Sequence, residues 1–198
     1  MQDGIKLRKA KEEFEHRCQT LREKLADPNF LNNQGLGNEV GFFTFCYHPA
    51  LELRARAFFA QLQRESEAGK LPCRILRRNL YDALLQICED KRILDTIPRQ
   101  EAKRGSDRQV KQLAKVASPQ MFATYIDYEP HKPGDAMLID GVGEVYPFLR
   151  THNLLDNMQH LFEDVPVIVA YPGVFDGKQF SLFGKLQDGN YYRAFDLT

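Results

Sequence analysis

Two short, uninterrupted apolar runs constrain this chain more than any other feature. Ala136-Met137-Leu138-Ile139 ends at Asp140-Gly141, and Pro166-Val167-Ile168-Val169-Ala170-Tyr171 ends at Pro172-Gly173. Each is too short for a helix, neither alternates with polar residues, and each is closed by a turn signal. A strand that is apolar on both sides must be covered on both faces. That is the condition of a parallel sheet packed between helices.

The rest of the chain supplies the covering helices. Phe14, Cys18, Leu21 and Leu25 fall on one face of a helix predicted over residues 5–26, which Asp27-Pro28 stops. The aromatic run Gly41–Tyr47 reads as a strand. A second helix is predicted over Leu51–Gly69, with Leu51, Ala55, Phe58 and Leu62 in register. Arg74-Ile75-Leu76 reads as a short strand, and Asn79 as the cap of a helix reaching Leu94. Thr96–Gly105, charged and interrupted by Pro98, reads as a loop. Further helices are predicted over Asp107–Ala117, from Ser118 to Ile126, and over Pro147–Phe162. Strands over Phe180–Leu186 and Tyr191–Phe195 flank an Asp188-Gly189-Asn190 turn. This order predicts a single α/β domain over residues 1–198. Its sheet is mostly parallel and flanked by helices, Rossmann-like or P-loop-like without Walker motifs, with a C-terminal antiparallel edge hairpin.

At 198 residues, with 43% hydrophobic and 27% charged side chains, the chain can bury a core without disulfides. Its 27 basic and 27 acidic residues exclude a polybasic binder in bulk. The charge is nevertheless uneven: residues 1–120 hold 22 basic and 16 acidic residues, and residues 121–198 hold 5 and 11. The excess is sharpest from Lys91 to Lys115, where Arg99, Lys103, Arg104, Arg108, Lys111 and Lys115 make a candidate basic patch. Such a patch is either a solvated helical face or a surface for DNA or an acidic partner. The charged first 24 residues carry no apolar core like that of a signal peptide, and the longest apolar stretch is far short of a membrane span. A cytoplasmic protein in a reducing compartment, with no membrane contact, is expected.

The site-bearing motifs are few. Cys18, Cys46, Cys73 and Cys88 form no CxxC pair and have no histidine at zinc spacing, so buried thiols and no metal are expected. Asp140-Gly141-Val142-Gly143-Glu144 lies at a strand end before a helix, where α/β sheets place ligands. Tyr146 occupies the third glycine position of a G-x-G-x-x-G fingerprint, so no phosphate cradle and no cofactor follow. Asp140, Gly141, Gly143, Glu144, Arg150 and His152 are the candidate ligand or partner site; the other reading is a tight β–α turn. Gly173–Lys178 ends like a P-loop but is one residue short, and Gln179 replaces the Ser or Thr. Tyr191-Tyr192-Arg193 with Phe195 suits either base stacking or core packing. No catalytic residues are assigned.

Together these blocks resemble a family. The run Leu138–Asn157, with Asp140-Gly141-Val142-Gly143-Glu144-Val145-Tyr146-Pro147-Phe148-Leu149-Arg150-Thr151-His152-Asn153 at its heart, is similar to the signature of BrxB proteins. So are Tyr171-Pro172-Gly173, Phe175-Asp176-Gly177, Leu182-Phe183-Gly184 and Asn190–Phe195. The N-terminal half adds Gly35–Glu39, Tyr47-His48-Pro49 and Glu52-Leu53. The chain departs from that pattern at His48, where an acidic residue is preferred, and at Phe175, where a tyrosine is. The resemblance implies a small component of a BREX bacteriophage-defence system, which marks host DNA by methylation and blocks replication of unmarked phage DNA. It further implies a non-catalytic accessory subunit that binds the PglZ-type, alkaline-phosphatase-like component. An enzyme or phosphate-binding site at residues 140–152 and DNA contact through residues 91–115 are the alternatives.

Overall fold

The computed structural model describes residues 2–34, 40–175, 179–188 and 194–197, with side chains from Ile5 onward. The Gly35–Glu39 segment, the Asp176-Gly177 turn and Tyr191-Tyr192-Arg193 lie outside the described residues. Helices α1 (Gln2–Ala26) and α2 (Pro28–Leu31) precede strand β1 (Phe42–Tyr47). There follow α3 (Glu52–Glu67), β2 (Arg74–Asn79), α4 (Leu80–Asp90), α5 (Ile97–Arg104), α6 (Ser106–Val116) and α7 (Pro119–Ile126). The remainder is β3 (Asp135–Asp140), α8 (Val142–Val145), α9 (Thr151–Met158), β4 (Val167–Phe175), β5 (Phe180–Leu182), β6 (Leu186–Asp188) and β7 (Phe195–Asp196).

The main sheet runs in the order β2-β3-β4-β1-β7 and every neighbouring pair is parallel. Strand alternation sorts its side chains into two cores. Phe43, Phe45, Tyr47, Leu138, Ile168 and Ala170 meet α1, α2 and α3. Phe42, Cys46, Met137, Ile139, Val167 and Val169 meet α4, α6, α7, α8 and α9 on the other face. The two apolar runs are the buried central strands β3 and β4. Among the described residues no helix is long and apolar enough to cross a membrane.

Four details differ from the sequence reading. Thr96–Gly105 is not a loop: α5 spans most of it, with Pro98 in its first turn, where a missing N–H breaks no bond. Pro147–Phe162 is not one helix, because Tyr146 is extended, as a residue before proline prefers, and α9 starts only at Thr151. Strand β4 does not stop at Pro172-Gly173. It runs on to Phe175 by exchanging β1 for β5 as its partner. The Pro172 carbonyl accepts from the Phe183 amide at 2.8 Å. Phe180–Leu186 is not one strand either: Phe183 and Gly184 both take left-handed backbone and fold it into the β5–β6 hairpin. This antiparallel hairpin is carried by the far end of β4, while β7 pairs in parallel with β1.

Candidate functional site

Parallel pairing brings the carboxyl ends of β1, β2, β3 and β4 to one pole of the molecule. The connection leaving β1 crosses one face of the sheet, and those leaving β2 and β3 cross the other. Chains diverging in this way open a crevice at the strand ends, where open α/β sheets bind ligands.

Strand β3 delivers Asp140 to this pole, 3% exposed. Gly141 follows with φ 80°, and a Cβ there would come within 2.7 Å of the Asn79 side-chain amide. Only glycine combines that backbone with that neighbour. Asn79, register partner of Asp140, caps α4: its Oδ1 accepts from the Tyr81 and Asp82 amides at 2.8 and 3.1 Å. Its Nδ2 donates to Glu144 Oε2 at 3.2 Å. Glu144 Oε1 is 2.8 Å from Arg56 Nη2, and Arg56 Nε donates to Glu52 Oε1 at 2.9 Å. Tyr47 Oη closes the chain by donating to Glu52 Oε2 at 2.7 Å. Five side chains from β1, α3, α8 and the end of β2 are thus joined in one line.

Arg77 and Asp140 form a second unit. Arg77 Nε donates to Asp140 Oδ2 at 2.8 Å and Nη2 to the same oxygen at 2.5 Å. Asp140 Oδ1 is buried without a hydrogen bond. Burial pushes the Asp140 carboxyl above the ordinary carboxylate range, against the hydrogen bond and charge of Arg77. Burial, reinforced by Glu52, also pushes the Tyr47 phenol far up, so it donates rather than ionises. Arg56, Arg77, Asn79 and Glu144 line an open depression of about 320 Å³.

The site residues read from sequence are therefore divided. Asp140, Gly141 and Glu144 gather around Asn79. Gly143 supports the hairpin: a Cβ there would meet the Phe183 ring at 2.9 Å. Arg150 precedes α9, its guanidinium 5.8 Å from the Tyr146 ring centroid, and with Leu149, Tyr171 and Leu182 it lines a separate, shallow depression. His152 lies in the first turn of α9. The arginines that meet the carboxylates are Arg56 and Arg77, neither singled out from sequence. The Glu52–Arg56 pair had a signal, the i, i+4 spacing of a helical ion pair. Arg77 had none, because sequence does not show which strand lies beside β3.

The six basic residues all lie on α5 and α6, and all six are exposed. None of them makes an ion pair among the described residues; Arg104 donates to Gln112 at 3.2 Å. All four cysteines are buried, and burial pushes Cys18 and Cys46 up to about 12 and Cys73 to about 11. These are thiols, not thiolates, at neutral pH.

Comparison with known proteins gives a consistent set of relatives. A family described as BREX protein BrxB matches residues 76–197. The chain is similar to the BREX protein BrxB of Bacillus cereus (strain H3081.97), with 35% identity over 91% of this chain and 95% of the relative. It is similar also to the BREX protein BrxB of Escherichia coli O9:H4 (strain HS), with 29% identity over 93% of this chain and 92% of the relative. No solved structure matches. Of the joined polar residues, Arg77, Asn79, Asp140 and Glu144 fall inside the family match, whereas Tyr47, Glu52 and Arg56 precede it.

Proposed function

The chain belongs to the BrxB family of BREX proteins, and on that premise we propose that it is a non-catalytic accessory subunit of a BREX anti-phage defence complex, acting in the cytoplasm and bound to the PglZ-type component. The observation that supports this reading is the state of the strand-end polar groups. At the position where an α/β enzyme holds its reactive side chains, Arg77 is engaged with Asp140, and Tyr47, Glu52, Arg56, Glu144 and Asn79 with one another. Groups held in mutual pairs brace the surrounding loops, and a braced surface suits recognition. Co-expression with a tagged PglZ-type protein of the same system tests the proposal. Retention of this chain on the tag through a high-salt wash is the expected result, and its loss in the flow-through contradicts the reading.

A second reading, direct contact with DNA, is favoured by one observation: the exposed cations of α5 and α6, which make no ion pair among the described residues. Phosphate contacts make binding fall steeply with salt. A low-salt gel shift that disappears in the triple variant K103E/R104E/K111E supports that reading. No shift at low salt removes it.

A further inference from the structure

The carboxyl ends of β1 and β4 hold a second cavity, of about 220 Å³, between α1 and the β4–β5 hairpin. Its walls are aromatic: Phe14 from α1, Tyr47 from the end of β1, Phe175 from β4 and Phe183 from the hairpin all line it. Of the joined polar residues described above only Tyr47 reaches it, and the Tyr47 hydroxyl is already spent on Glu52, so the ring is what it offers. The volume falls below the roughly 300–1,000 Å³ of pockets for drug-sized ligands, and favours one inserted side chain over a nucleotide. Phe183 carries a further mark. Its φ of 57° is left-handed backbone, which a bulky side chain rarely takes and which glycine or asparagine adopts at lower cost. The ring props against Gly143, where a Cβ would come within 2.9 Å of it, and still leaves the residue 38% exposed at the cavity. Backbone strain of this kind is retained where the side chain has work to do.

The charged groups at this cavity sum to one negative charge. Arg17, its side chain 11% exposed, donates from Nη1 and Nη2 to Asp196 at 2.7 and 3.4 Å and from Nε to Glu13 at 3.4 Å. Burial works against the Arg17 charge, and Asp196 upholds it ahead of Glu13. Two carboxylates thus meet one guanidinium, all three of whose nitrogens are engaged. Glu13 is the more weakly held of the two: its side chain is 58% exposed, and it makes no ion pair with a second cation among the described residues. His48, exposed and also lining the cavity, adds no positive charge, because its Nδ1 accepts from the Ala50 amide at 3.2 Å and so carries no proton. Aromatic walls with an undercompensated carboxylate beside them are complementary to an organic cation. Guanidinium suits them better than ammonium, since it is planar, more weakly hydrated and stacks on aromatic faces. An anion would meet Glu13, and a neutral side chain would gain nothing from it.

We propose that this cavity docks a partner protein through one arginine side chain, inserted among Phe14, Phe175 and Phe183 with its guanidinium paired to Glu13. The inference deepens the assembly reading and rests on it only for the identity of the partner. The test titrates the full, isotope-labelled chain with short capped peptides and follows its amide NMR signals. One peptide is a single arginine between glycines; in the other, citrulline, of similar shape without the charge, replaces the arginine. The amides of Val174, Phe183 and Gly184 are expected to shift saturably with the arginine peptide, and the citrulline peptide to bind at least about fivefold more weakly. E13Q weakens the arginine peptide about threefold and E13K about tenfold or more. F183G keeps the left-handed backbone, removes the ring and weakens the peptide about fivefold. All variants are checked by circular dichroism. Should F183G not fold, E13K, at an exposed helix position, carries the decision. No saturable shift at these amides, equal binding of the two peptides, or undiminished binding by E13K overturns the proposal. So does saturable binding of butylguanidinium without binding of the arginine peptide, which makes the cavity a site for a free small cation instead. If the arginine peptide binds as expected but the PglZ-type protein does not, the assembly reading fails and the docking site stands. If the PglZ-type protein binds but the peptide does not, the docking site fails alone.

Discussion

Arg77 on β2 closes over Asp140 at the end of β3, with Nε 2.8 Å from Oδ2, while the other carboxylate oxygen is buried without a hydrogen bond. Removing the cation strands a buried carboxyl, which costs about 3–5 kcal/mol. R77A is expected to lose stability of that order in urea denaturation. D140N, which removes the charge and keeps the shape, loses less. The double variant R77A/D140N loses less than the two single losses added together, and simple additivity would show that the pair is not coupled.

Asn79 and Gly141 are fitted to one another. G141A introduces both a left-handed alanine and a contact with the Asn79 amide, and is expected to cost about 2 kcal/mol. N79A removes the helix cap and costs about 1 kcal/mol. In N79A the added cost of G141A shrinks, because the clash is gone and only the backbone strain remains. Thermal melts of the four proteins in this cycle measure the difference.

His131 gives the fold a pH dependence. Its Nδ1 lies 2.7 Å from Asp164 and its Nε2 3.3 Å from Asp127, and the ring stacks on Phe162. Burial works to lower its pKa, but hydrogen bonds and charge from Asp164 and Asp127 overcome it, and the net shift is upward. The folded state therefore holds the proton more tightly than the unfolded one. The stabilisation is fully present below the ordinary histidine value of about 6.5 and is lost as pH rises through the raised folded value. The stability difference between the wild-type protein and H131Q is expected to be largest near pH 5 and to shrink across that window. A difference that grows with pH would contradict the assignment.

The four buried thiols react through opening of the fold rather than at its surface. An aromatic disulfide reagent at pH 8 is expected to label the native protein slowly and to label four groups at once in denaturant. Rapid labelling of a single native thiol would reveal a thiolate and reopen a nucleophilic role, with Cys46 beside the strand-end cavity the first to examine.

What could be read in the sequence follows physical lines. The two apolar runs announced a doubly covered sheet, because strands buried on both faces leave no polar alternation. Asn79 and Gly141 were legible because a cap and a left-handed turn are local needs that few residue types meet. Arg77 was illegible as a site residue, since its role depends on β2 lying beside β3, a long-range pairing without a local mark. Helix α5 was missed for another reason: Pro98 is a breaker inside a helix but fits its first turn. Only the true starting point, after the 3-10 turn of Leu94–Thr96, tells the two apart.

The central claim is assembly, and the most direct measurement is the mass of the species formed when this 22.9 kDa chain is co-expressed with the PglZ-type protein of its own system. Light scattering across the eluted peak is predicted to give one species of combined mass, persisting on dilution. Two separate peaks, with this chain at its own mass, would contradict the account.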